Sequence, residues 1–130
     1  MKYLFLDDDP HRHRQFIQYT IGISKVMTAT PSEAIAALTE NDPFDVVCLD
    51  HDLGGKVYQP SDENSGFAVC QFLATLPADR LPKKIIIHSF NPEGAKKMRN
   101  ELYEIGHIVP VTIAAFGTDD FWEAVSTENV

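Results

Sequence analysis

The chain has 130 residues, 19 acidic side chains against 11 Lys or Arg, and a formal net charge of −8. That length suits one domain over residues 1–130, and 44% apolar residues are enough to build a core, which excludes a disordered chain. The charge balance argues against gripping an extended nucleic-acid backbone, which needs a broad cationic surface. No run approaches the ~20 apolar residues of a membrane helix. The start, MKYLFLDDDP, turns acidic too early for a signal peptide, so the expectation is a cytoplasmic protein with no membrane partner. Two cysteines make no disulfide framework, and Cys48 and Cys70 both fall in apolar patterns as reduced core residues.

In chain order, residues 3–6 read as a short buried strand, and Pro10 to about Tyr19 as a helix with Pro in its first turn, turning Phe16 and Ile17 inward. Residues 25–28 suit a second strand. Residues 31–38 form a helix that Asn41-Asp42-Pro43 breaks. The run 45–49 is continuous and β-branched, as a parallel strand covered on both faces requires. A polar loop over 54–63, with two glycines and a proline, borders this strand end and has the length to close over a ligand. Helices follow over 64–75 and 92–105, the second capped by Gly106, with a strand over 84–88 between them. The last strand lies within 108–115, with Pro110 near its beginning, and a short helix spans Asp119 to about Ser126, where Phe121 and Trp122 anchor in the core. Five strand–helix alternations predict an α/β three-layer sandwich around a parallel sheet of order 2-1-3-4-5, the flavodoxin-like arrangement.

In such a sheet, ligands bind beyond the carboxyl ends of the strands. Three polar clusters stand there: Asp7-Asp8-Asp9 after the first strand, Asp50-His51-Asp52 after the third, and His88-Ser89-Phe90-Asn91 after the fourth. In the order 2-1-3-4-5 these strands are neighbours, so the clusters meet on one rim. Crowded carboxylates repel one another, and a divalent cation, Mg²⁺ or Mn²⁺, relieves the conflict. Asp7, Asp8 and Asp50 are the expected ligands. Asp52 joins them as a ligand or starts a turn, and Asp9 is a ligand or the cap of the Pro10 helix. His51 and His88 are candidate general acid and base, in an unassigned order, with Asp50 as a catalytic partner. Ser89, Asn91 and the helix start after them can hold phosphate oxygens, with Asn91 also a helix cap. Among His11, Arg12, His13 and Arg14, helical spacing aims only some at the rim, and Arg12 or His11 is favoured for phosphate. Six of the 11 basic residues lie between Arg80 and Arg99, a segment expected to adjoin the same rim.

At LFLDDDP, DVVCLDHDL and IIIHS the chain resembles response-regulator receiver domains, which implies Asp7, Asp8 and Asp50 as acidic pair and phosphoacceptor and Ser89 after the fourth strand. Receivers also carry a Lys at the end of the fifth strand, where this chain reads VTIAAFG. The closer resemblance is to a divergent branch, the cyclic-phosphate-processing receiver-like domain. It rests on Leu6-Asp7-Asp8, Ser32-Glu33-Ala34, Leu49-Asp50-His51-Asp52-Leu53-Gly54, Ser65-Gly66-Phe67-Ala68 and His88-Ser89-Phe90-Asn91-Pro92-Glu93-Gly94 with Met98. Two positions depart from that branch, Pro10 and Ala95, where its pattern has Arg, and Arg12 is the candidate substitute for the first. The resemblance implies metal-assisted processing of a small phosphate-bearing substrate, a cyclic nucleotide or an RNA 2′,3′-cyclic end. The alternative is a non-catalytic signalling or binding module that takes phosphate on Asp50 or sequesters a nucleotide. Oligomeric state is not legible.

Overall fold

A computed structural model describes residues 1–55 and 58–126. Lys56, Val57 and the C-terminal 127–130, including Glu128, lie outside the described residues, and so does part of the expected 54–63 loop. The strands are β1 (Lys2–Leu6), β2 (Ser24–Thr28), β3 (Val46–Leu49), β4 (Lys84–Ile87) and β5 (Val111–Ile113). All pair in parallel, in the order β2-β1-β3-β4-β5. The helices are α1 (Pro10–Tyr19), α2 (Pro31–Glu40), α3 (Phe67–Leu73), α4 (Pro92–Glu101) and α5 (Asp119–Val125). None is long and apolar enough to cross a membrane.

Local chemistry sets the helix starts. Asp9 accepts from the His11 N–H at 2.8 Å and Asn91 from the Gly94 N–H at 3.0 Å, each followed by Pro at the first helical position. Thr30 and Glu33 form a reciprocal capping box on α2, and Thr118 caps α5 through the Phe121 N–H.

Because side chains alternate along a strand, each strand feeds two cores. Leu4, Leu6, Val47, Leu49, Ile85 and Ile87 pack against α2, α3 and α4. Tyr3, Phe5, Val46, Cys48 and Ile86 pack on the opposite face, against Phe16 of α1 and Phe121 and Val125 of α5. Cys48 and Cys70 are buried free thiols.

Three expectations are corrected. Ile17 is 44% exposed, because α1 buries only Phe16 fully. The third helix starts at Phe67, not 64, since the Gly66 N–H donates to the His51 carbonyl and Ser65 closes a tight turn on Asp62. The helix from Pro92 stops at Glu101, and Gly106 lies in a separate 3₁₀ turn, Ile105–His107. The last strand, Val111–Ile113, lies within the expected 108–115 and starts directly after Pro110.

Candidate functional site

Strand register builds the site. Leu6, Leu49 and Ile87 form the last paired rank across β1, β3 and β4. One residue further, the ladder continues through the Asp50 N–H to the Leu6 carbonyl (3.0 Å) and the His88 N–H to the Leu49 carbonyl (2.9 Å). The rank beyond is therefore Asp7, Asp50 and His88. Leu6, Leu49 and Ile87 face α2–α4, so period-two alternation turns the next rank to the α1/α5 face. There Asp7, Asp50 and His88 present ligand atoms all within 4.8 Å of one another, and all three are buried. That spacing lets one cation be shared.

His88 sits behind Asp7. Its Nε2 lies 3.1 Å from Asp7 Oδ2, its ring stacks on Phe5 at 5.0 Å and 6°, and Phe116 and Phe121 meet it edge-on. Nδ1 is buried and has no hydrogen-bond partner among the described residues. Burial alone would raise the Asp7 pKa. His88, the Asp9 N–H and Arg12 outweigh it and hold the carboxyl below its ordinary value. Asp50 goes the other way: burial, reinforced by Asp7, pushes it up to about 6 against the pull of His88, the His51 N–H and Arg12.

Arg12 closes the group from α1. Its guanidinium lies 3.3 Å from Asp7 Oδ2, 3.6 Å from Asp50 Oδ2 and 3.7 Å from Asp9 Oδ2. Phe90 and Phe116 flank it at 5.2 and 5.9 Å. Arg12 is thus the member of the basic run 11–14 that reaches the rim, while His11 is exposed. His13 bonds the Asp7 carbonyl, which steadies the strand end.

An open cleft of about 440 Å³ lies over these groups, lined by Asp8, Asp9, Arg12, Asp50, Asp52, Gly55, Ser89 and Phe90. Ser89 Oγ accepts from the Asn91 N–H at 3.0 Å, which leaves its O–H to donate into the cleft.

Several expected residues stand elsewhere. Asp8 lines the cleft, but its Oδ2 accepts from the Gly55 N–H at 2.6 Å and it is outside the Asp7–Asp50–His88 cluster. The Asp52 carboxylate also lies outside that cluster. It accepts from Tyr58 N–H (2.8 Å), Gln59 N–H (3.0 Å) and Asn91 Nδ2 (3.1 Å). Asn91 is spent on Asp52 and on capping Gly94, so its amide does not face the cleft. His51 and His88, the candidate general acid and base, do not meet on one side of the sheet. His51 is fully buried and packs on Gly94 of α4, on the face opposite His88. The basic segment 80–99 does not adjoin the rim as a unit. Arg80 donates to the Leu38 and Asn41 carbonyls at the end of α2, Lys83 pairs with Asp45, and Lys84 donates to the Ala124 carbonyl. Ser61, Phe116 and the close approach of Gly66 and Gly94 went unmarked in sequence, because nothing local to them signals a contact made across the fold.

A parallel five-stranded sheet in this order, with buried carboxylates at the ends of β1 and β3, defines a receiver-type α/β domain. Solved structures agree on the fold. A CheY-like receiver domain from Methanospirillum hungatei is 17% identical with TM-score 0.64, covering 98% of this chain and 92% of that one. The response regulator TrrA from Thermotoga maritima, solved with Mg²⁺ and BeF, is 20% identical with TM-score 0.65, covering 95% of each chain. The Mn²⁺-bound response regulator Rcp1 is 17% identical with TM-score 0.59, covering 95% of this chain and 88% of that one. No curated protein sequence matches the chain. Within the receiver class, the chain belongs to the family described as the cyclic-phosphate processing receiver domain, whose pattern matches residues 2–104.

Proposed function

We propose that this domain is a metal-dependent phosphoesterase acting on a cyclic phosphate, either a cyclic nucleotide or an RNA 2′,3′-cyclic end. The observation that carries the reading is the buried meeting of Asp7, Asp50 and His88 beneath an open cleft that Asp50, Arg12 and Ser89 line. Membership of the cyclic-phosphate processing family supports the substrate class. The buried carboxylate pair of Asp7 and Asp50, with His88 beside it, fits a divalent cation of the Mg²⁺ or Mn²⁺ kind. The Mg²⁺ and Mn²⁺ of the TrrA and Rcp1 structures support the same choice.

Asp7 and Asp50 would hold the cation, with His88 against Asp7. Such an ion, when bound, supplies a Lewis acid for the phosphoryl group and an activated water. The chain's own groups do the rest. His88 keeps Asp7 ionised and in one orientation. Arg12, at the cleft wall, offers N–H donors to phosphoryl oxygens, and the Ser89 O–H donates to another. Phe90 gives the mouth an apolar wall, 55% exposed.

Incubating the protein with Mn²⁺ and 2′,3′- or 3′,5′-cyclic nucleotides, and with RNA bearing a cyclic end, tests this. Turnover of at least one, lost in Asp50→Ala, is expected. No turnover of any overturns it.

A second reading is a non-catalytic module that takes phosphate on Asp50, or sequesters a nucleotide uncleaved. The place of Asp50 at the end of β3 favours it, in a fold shared with a Burkholderia pseudomallei regulator that carries a phosphorylated aspartic acid. Against it, Ala114, Ala115 and Phe116 stand where receivers carry Lys. Saturable, metal-dependent beryllofluoride binding, lost in Asp50→Asn, would select this reading, and tight nucleotide binding without product would select sequestration.

A further inference from the structure

We propose that His51 is a positioning residue rather than a proton-transfer group: it latches the segment after β3, whose near end walls the cleft. Both ring nitrogens are already committed. Nδ1 lies 2.7 Å from Asp52 Oδ1 and Nε2 lies 2.8 Å from Ser61 Oγ. A carboxylate only accepts, so Nδ1 carries the proton given to Asp52, and Nε2 is taken up by the Ser61 hydroxyl. The ring has no exposed surface and does not line the cleft. Gly94 seals it in: a Cβ there would stand 2.5 Å from the imidazole. No ring atom is left to meet a substrate.

What His51 holds is the loop. Asp52, oriented by His51 and Asn91, takes the Tyr58 and Gln59 N–H groups, and Gln59 Oε1 accepts from the Leu53 N–H at 2.7 Å. Ser61 fastens the far end of the same segment to the ring. At the near end, Gly55 donates to Asp8 and lines the cleft with Asp52. The imidazole, on the sheet face opposite Asp7, Asp50 and His88, is thus the shared anchor of a hydrogen-bonded segment whose near end walls the cleft. This assignment of His51 stands on geometry alone. Its consequence for turnover rests on the phosphoesterase reading above.

The test compares the full chain with Ser61→Ala, His51→Ala and the double variant. Amide exchange of Gly55, Tyr58 and Gln59, followed by NMR, is expected to speed up about tenfold in either single variant, the scale of one net hydrogen bond. The double variant should add nothing, since both changes cut the same link. Mn²⁺ affinity should change less than about threefold, because the imidazole faces away from the cation groups and His51→Ala keeps the N–H that bonds Asp50 Oδ1 at 2.9 Å. If the domain turns over a cyclic nucleotide, KM should rise in both single variants, with kcat little altered. Ser61→Ala removes one hydroxyl at a half-exposed position and keeps the test valid if His51→Ala does not fold. Unchanged exchange in Ser61→Ala would overturn the proposal. So would a loss of kcat in His51→Ala with Ser61→Ala fully active, which would return His51 to proton transfer. Because exchange is read without substrate, failure of the latch and failure of the phosphoesterase reading give different results.

Discussion

Asp50 carries the clearest pH signature. Its folded pKa is raised from 3.8 to about 6, chiefly by burial. The folded state therefore binds more protons than the unfolded chain between roughly pH 4 and 6, and stability falls as pH rises through that window. Asp50→Asn removes the penalty, so the metal-free variant should be more stable than the parent at pH 7 by about 2–3 kcal/mol, with the gap closing towards pH 4. Urea unfolding in EDTA at several pH values measures this, and a parent that gains stability from pH 4 to 6 through this residue would contradict it. Asp7 has the opposite sign: its folded pKa is lowered, so its contribution is present above the unfolded value and lost as pH falls below it. Asp7→Asn should destabilise at pH 7. A side chain whose ionisation strains the fold is typical of a site kept for binding rather than stability. The two thiols are inert by contrast. Burial raises both pKa values, so Cys48 and Cys70 should resist thiol reagents until the protein unfolds.

At the scale of elements, two glycines let helices close on the end of β3. A Cβ on Gly66 would stand 1.7 Å from the Asp50 carbonyl oxygen, and one on Gly94 would strike the His51 ring. Backbone has less freedom to yield than a ring, so Gly66→Ala should cost more than Gly94→Ala. Each should exceed about 1 kcal/mol, as overpacking usually does, and both are readable from denaturant midpoints. Gly66 shows no left-handed backbone, so the need for glycine there is space and not conformation. Most elements were legible in sequence, because apolar runs and Pro-capped starts are local signals. The errors fell at ends: the start of α3 and the stop of α4 were decided by tertiary contacts such as Gly66 on the His51 carbonyl.

At the scale of the whole molecule, the charge of −8 is not spread evenly over the cleft. Two acids are buried together, and Arg12 already meets both. A divalent cation that binds only the folded state stabilises it by mass action, by about 2.7 kcal/mol at a hundredfold excess over Kd. Mn²⁺ should therefore raise Tm in the parent, and the shift should vanish in Asp7→Ala and Asp50→Ala. An equal shift in all three would place the ion elsewhere.

The sequence by itself determined the parallel sheet, its strand order and the gathering of three polar clusters on one rim. Those follow from apolar run length, strand–helix alternation and the rule that ligands meet strand carboxyl ends. Neighbours in a strand face opposite ways, so the sequence also implied that Asp50 and His51 would part unless the strand end bent. Only the tertiary structure decided who stayed with Asp50. Register put Leu6, Leu49 and Ile87 in one rank, which sent Asp7, Asp50 and His88 to one face and left His51 to the other. The loop could then fold Ser61 onto His51, ten residues away in sequence, a contact that no local pattern encodes.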